Sequence, residues 1–143
     1  EQRTGTTIRQ IFEQSGESEF RRIESEVLAE LLRSPEQVIA TGGGAVLLPE
    51  NRDLMRTAGP VVWLHASAET LTKRLSRERA AAGRPSLTGR PIHLEVADVL
   101  AIREPLYRQA ATLTVHSDGE SADQVARRIF RHLSNEVRKG RGD

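Results

Sequence analysis

The chain has 143 residues with 21 Lys+Arg against 20 Asp+Glu, a formal net charge of +1, so no global field points to nucleic acid or to an anionic membrane, and any anion must be held by a local cluster. There is no cysteine, which excludes disulfides and thiolate chemistry, and the four histidines, His65, His93, His116 and His132, lack H-x-x-x-H spacing, so no metal site is expected in this chain. No apolar run reaches the roughly 18 residues of a membrane helix and no basic-then-apolar leader opens the sequence, so a cytoplasmic protein is expected.

The length suits one domain spanning residues 1–143. The opening Glu1-Gln-Arg-Thr-Gly5 carries no methionine and resembles a helix end followed by a glycine stop, so the chain is expected to start in mid-fold. Thr6 or Thr7 can cap a short helix through Ile8, Ile11 and Phe12 that ends near Ser15 and Gly16. A longer helix is predicted over residues 17–33, with Phe20, Ile23, Val27, Leu28, Leu31 and Leu32 on one stripe. Arg21 and Arg22 lie beside that stripe, a position that a solvated charge pair also satisfies.

The apolar run over residues 38–40 reads as a buried strand, broken by Gly42, Gly43 and Gly44. In an open α/β sheet, ligands bind at the carboxyl ends of strands, which makes the glycines a candidate site; a tight turn or linker would use them equally well. Pro49 starts a short helix that stops at Gly59, residues 60–64 form a second strand, and Ser67 begins a helix carrying Lys73, Arg74, Arg77 and Arg79. Strand, short loop and capped helix in alternation imply a parallel sheet.

Between residues 80 and 93 the periodicity fails. Gly83, Gly89, Pro85 and Pro91 with Arg84 and Arg90 describe either a functional lid whose arginines suit a phosphate-rich ligand or a solvated loop. The next helix covers residues 94–110, and Pro105 should kink or break it. Arg103 continues its buried stripe, which is costly unless an anion meets it. Residues 112–116 form a third strand, and Ser121 caps a final amphipathic helix before a basic tail.

Several of these segments, in this order and spacing, resemble the shikimate kinase family. They are Glu1-Gln-Arg-Thr-Gly5, Ile11-Phe12, Gly16-Glu17 with Glu19-Phe-Arg-Arg22 and Glu24, Thr41-Gly-Gly-Gly-Ala-Val46, Arg84-Pro85 and Arg103-Glu-Pro-Leu-Tyr107. The resemblance implies an α/β fold of P-loop kinase type, a three-layer parallel sheet with helices on both faces, and transfer of the γ-phosphoryl group of ATP to the 3-hydroxyl of shikimate with Mg2+. It implies that Arg21 and Arg103 bind the shikimate carboxylate and that the backbone of Gly43 contacts shikimate between Gly42 and Gly44. It further implies that Arg84 is the catalytic lid arginine on the phosphates, with Arg74 stacking on the nucleotide and Ser121 and Ala122 lying along adenine. Small-molecule partners only, no nucleic acid, no membrane and a monomeric complete enzyme follow from the same likeness.

Two departures accompany it. Arg84-Pro-Ser-Leu87 replaces the family's more frequent Arg-Pro-Leu-Leu. No G-x-x-x-x-G-K-[ST] occurs among the 143 residues, and the aspartate-rich strand end that holds magnesium is also absent; both are implied upstream of Glu1. The sheet is therefore expected to be incomplete at the N-terminus, and the 143 residues alone are expected to be inactive. A non-catalytic ligand-binding domain of a transcriptional regulator, or a related enzyme such as a gluconate kinase, would share several of these features.

Overall fold

The structure, a computed structural model, describes residues 1, 3–81 and 91–139. They divide into two compact units, Glu1–Pro60 and Val61–Asp143.

The first unit is built on α1 (Ile8–Leu31). Thr7 is its cap: the Thr7 hydroxyl accepts from the Gln10 amide at 3.2 Å and Gln10 Oε1 accepts from the Thr7 amide at 2.9 Å, satisfying donors the first turn leaves open. Gly16, at φ 78 and ψ 178, is not helical, so α1 is two helical halves joined at a kink, as the break expected near Ser15 and Gly16 requires. Phe12 and Phe20 pack across the kink with ring centroids 4.7 Å apart, and Ile11 and Leu28 are buried. A 3-10 turn at Ala45–Leu47 leads into α2 (Pro49–Ala58), which opens on Pro49 and closes where the Gly59 amide donates to Met55. Pro49 has no N–H to leave unsatisfied in a first turn, which is why it fits there.

The strand expected over residues 38–40 is not formed. Val38 is fully exposed, at 101%, and no ladder includes residues 37–40. A strand needs a neighbour to take its N–H and C=O groups, and among the described residues none lies beside this run.

The second unit holds β1 (Val62–His65), α3 (Ala68–Ala81), α4 (Ile92–Ala110), β2 (Leu113–His116) and α5 (Ala122–Lys139). Among the described residues the sheet has two strands, β1 and β2, paired in parallel with Val62 opposite Leu113 and His65 opposite His116. Val115 and Ala66 are buried where the strands end, and α3 packs on α4. Trp63 stacks on Tyr107 of α4 with centroids 5.8 Å apart, a packing role. Pro105 does not break α4, which continues to Ala110. Its missing N–H would have served Ala101, and both residues lie on the exposed side of the helix, where an unpaired carbonyl is tolerated better than in a core. No helix among the described residues is long and apolar enough to cross a membrane.

The start of α3 is tied to the end of β2. Thr70 N donates to Ser67 Oγ at 3.2 Å, while Asp118 Oδ1 accepts from the Ser67 amide at 3.0 Å and from its hydroxyl at 2.9 Å. Hydrogen bonds from the Thr70 side chain and from the Ser67 backbone and side chain hold the Asp118 carboxyl at about 2, below its ordinary 3.8. A carboxyl depressed on folding stabilises the protein above its unfolded pKa and ceases to do so as pH falls through its folded value. The thermal-unfolding gap between wild type and Asp118→Asn should accordingly be widest near neutrality and should close as pH falls from 3.8 to about 2. A gap independent of pH would remove the ionised cap.

Candidate functional site

In the first unit, two carboxylates fix one guanidinium. Arg21 Nη1 donates to Glu24 Oε2 at 2.7 Å, and Nη2 and Nε donate to Glu17 Oε1 at 3.1 and 3.2 Å. The spacing is helical, since Glu17 precedes Arg21 by four positions and Glu24 follows it by three, which places all three on one face of α1. Arg21 and Glu24 side chains are 16% and 18% exposed, whereas Glu17 is 61% exposed. Burial opposes the Arg21 charge, but the hydrogen bonds to Glu24 and Glu17 more than offset it and raise its pKa above the ordinary value. Phe20 adds its ring face 5.1 Å from the Arg21 Cζ. Arg22, by contrast, is 56% exposed and pairs with Glu19 and Glu26, so the two adjacent arginines divide into one held inward and one solvated.

The glycine turn lies against this pair. A Cβ on Gly44 would stand 2.4 Å from Arg21 Nη1 and 2.6 Å from its Cζ, and one on Gly42 would stand 3.2 Å from Glu24 Oε1. Glycine at 44 is favoured by close approach and not by backbone conformation, since its φ of -88 suits any residue and a Cβ there would have to displace the Arg21 guanidinium from its place beside Glu24. Gly43 between them is exposed. The turn closes through Ala45 N donating to Gly42 O and Leu47 N to Gly44 O, both at 3.0 Å. From α2, the buried Asn51 donates Nδ2 to Ala45 O at 3.0 Å and Arg52 Nη1 donates to Val46 O at 2.7 Å. Beside the turn, Glu17, Arg21, Ser25, Leu47 and Leu48 line an open cleft of about 720 Å³. The Ser25 hydroxyl is buried with no hydrogen-bond partner.

In the second unit, Arg103 is half-buried and has no hydrogen bond or ion pair to a described residue. Arg74 Nη2 donates to Ser117 O at 2.8 Å and Nη1 to Ser117 Oγ at 3.3 Å. Ser117 in turn donates its hydroxyl to His65 O at 3.1 Å. Ser121 forms a cap box with Gln124, at 2.8 and 3.3 Å, and Ala122 opens α5, exposed. Arg84 and most of the expected lid lie outside the described residues.

Sequence reasoning placed Glu17 and Glu24 in the family resemblance but gave them no part in holding Arg21, and gave Asn51 and Arg52 no part in holding the glycine turn. The two glutamates carried a signal in their helical spacing from Arg21; the α2 residues carried none, because their partners are backbone carbonyls of another segment.

Parallel strands, each followed by a capped helix, with a glycine turn packed on a fixed arginine, define an α/β domain of small-molecule-kinase type. The sequence model described as shikimate kinase matches residues 1–134, and the chain belongs to the shikimate kinase family. It is 43% identical over 132 residues to the shikimate kinase of Thioalkalivibrio sulfidiphilus, covering 92% of this chain and 68% of that protein. It is 43% identical over 140 residues to shikimate kinase 2 of Yersinia pestis, covering 97% and 79%. Among solved structures, the shikimate kinase of Acinetobacter baumannii in complex with shikimate superposes with TM-score 0.83 at 36% identity over 94% of this chain and 74% of that one. The Bacteroides thetaiotaomicron shikimate kinase gives TM-score 0.76 at 27% identity over 95% and 77%.

The packing of Gly44 on Arg21 is testable without any ligand. Gly44→Ala should destabilise the protein by about 1–3 kcal/mol in urea unfolding, as overpacking does, and most of that loss should vanish in an Arg21→Ala background, since the two positions are in contact. Additive effects would show that the methyl group meets something else.

Proposed function

We propose that this chain acts in the ATP-dependent phosphorylation of the 3-hydroxyl of shikimate, with the glycine turn and Arg21 forming the acceptor side. The observation that carries the reading is the Arg21 guanidinium, held by Glu24 under the turn in a chain of this family. A ligand carboxylate would exchange with the exposed Glu17 and leave the half-buried Glu24 bond intact, keeping the planar fork aimed while a second anion docks. Gly43, exposed between two glycines that lie close against Glu24 and Arg21, would present backbone toward the acceptor. Arg103, half-buried and with no hydrogen bond or ion pair to a described residue, is proposed as a second carboxylate partner.

For the nucleotide, Arg74 with the Ser117 turn, and Ser121 with Ala122, are proposed to flank adenine. Arg84 in the lid of residues 80–93 is proposed to stabilise charge on the transferring phosphoryl group, the main demand of this reaction. Mg2+ does not fit the donor set here: the one group of three candidate ligands among the described residues contains two imidazoles, whereas Mg2+ selects oxygen. No step is therefore assigned to the metal with these residues. Relatives named shikimate kinase leave the regulator-domain and gluconate kinase readings without support. A cytoplasmic, monomeric protein completes the proposal.

Isothermal titration of shikimate into the chain tests the acceptor side. Arg21→Ala and Arg103→Ala should each weaken binding about 10- to 100-fold, the range for hydrogen bonds to charged groups, and gluconate should not bind; tighter binding of gluconate than of shikimate would overturn the assignment. When a P-loop segment is supplied at the N-terminus, Arg84→Ala should lower kcat with little change in the shikimate KM. An equal rise in KM for Arg84→Ala and Arg103→Ala would argue against the division of roles.

A further inference from the structure

The last residues of β1 and β2 are register partners, His65 opposite His116. Register partners on neighbouring strands project to one face, and the turn after β2 brings Asp118 beside them. The imidazole centroids are 4.6 Å apart. One donor atom from each of His65, His116 and Asp118 lies within 4.8 Å of the other two, so small side-chain rotations would bring them to the spacing of ligands on one ion.

Further observations suit a ligand there. His65 Nδ1 is buried and has no hydrogen-bond partner, a costly state for an imidazole nitrogen. The edge of Trp63, with centroids 5.0 Å away, helps fix the His65 ring. Asp118 is anchored by the Ser67 amide and hydroxyl and by a hydrogen bond from the Thr70 side chain, which hold its carboxylate in place beside the imidazoles. His116 and Asp118 are exposed, which leaves an entry path. The nearby arginines are engaged elsewhere: Arg128 pairs with Glu120 at 2.7 Å and donates to the His116 carbonyl, and Arg74 holds Ser117.

We propose that His65, His116 and Asp118 form a binding site for a divalent transition-metal ion of the zinc class, with two imidazole nitrogens, one carboxylate oxygen and water completing the coordination. Imidazole donors favour Zn2+, Co2+, Ni2+ or Cu2+ over Mg2+ and Ca2+. Three protein ligands on an accessible face make an open, exchangeable site, unlike the closed four-ligand sites that hold a fold together. None of the three residues has a part in the phosphoryl transfer proposed above.

Titration calorimetry with Zn2+ at neutral pH in a non-chelating buffer tests the site on the chain as it exists. A single saturable Zn2+ per chain is expected, undiminished by excess Mg2+, with Co2+ giving a ligand-field absorption band. His116→Ala, at an exposed position, should weaken Zn2+ binding at least about tenfold, since even outer partners of metal ligands cost that much, and His93→Ala should leave it unchanged; circular dichroism confirms that each variant is folded. Absence of saturable binding in the wild type, binding that survives His116→Ala, or equal loss in His93→Ala would each overturn the proposal.

Discussion

The first unit depends on how a half-buried guanidinium is neutralised. An arginine drawn in from water at the edge of an apolar stripe is stable only with counter-charges in hydrogen-bonding position, and Arg21 finds two on its own helix. That local solution dictates the neighbouring chain. The segment crossing the pair cannot carry a Cβ at position 44 without moving the Arg21 guanidinium, and has little room for one at position 42 beside Glu24, so the glycines are shaped by this ion pair as much as by any turn. An acidic face on α1 and a glycine run twenty residues later are one feature.

The second unit is organised around the ends of a short parallel ladder. Ser117, the residue after β2, receives Arg74 on its carbonyl and hydroxyl and gives its own amide and hydroxyl to His65 O. Asp118 then caps α3 through Ser67. Two consecutive residues thus join both strands and one helix, and charge-assisted bonds of this kind are stronger than neutral ones. The carboxyl ends of the strands are where an α/β sheet receives its ligands, and here they carry this network of polar bonds.

Much of this was legible in the sequence because it is local. Capping by Thr7, Ser67 and Ser121, the break at Gly16, and Pro49 and Gly59 bracketing α2 all depend on residues within a few positions of one another, as do the apolar runs that become β1 and β2. The failures are relations between distant segments. Residues 38–40 have strand composition, but a strand exists only beside a partner. Pro105 sits in an α-helix on its exposed side, where neither it nor Ala101 is buried. Arg21 and Arg22 each have acidic neighbours at helical spacing, so pattern could not separate them; the glycine turn does. The histidine pair escaped a search by spacing because fifty-one positions separate His65 from His116, and only strand register joins them.

Asn51 and Arg52 donate to the carbonyls of Ala45, Val46 and Leu47, just beyond the three glycines. Glycine is the residue with most conformational freedom to lose, and here that entropy is surrendered when the protein folds, before any ligand arrives. An acceptor docking at Gly43, as proposed above, would meet backbone whose ordering has already been completed, so little of the interaction free energy would go into arranging the loop. Discrimination between similar acceptors would then rest on the fixed shape of the turn, with little scope for the loop to adapt to a poorer fit.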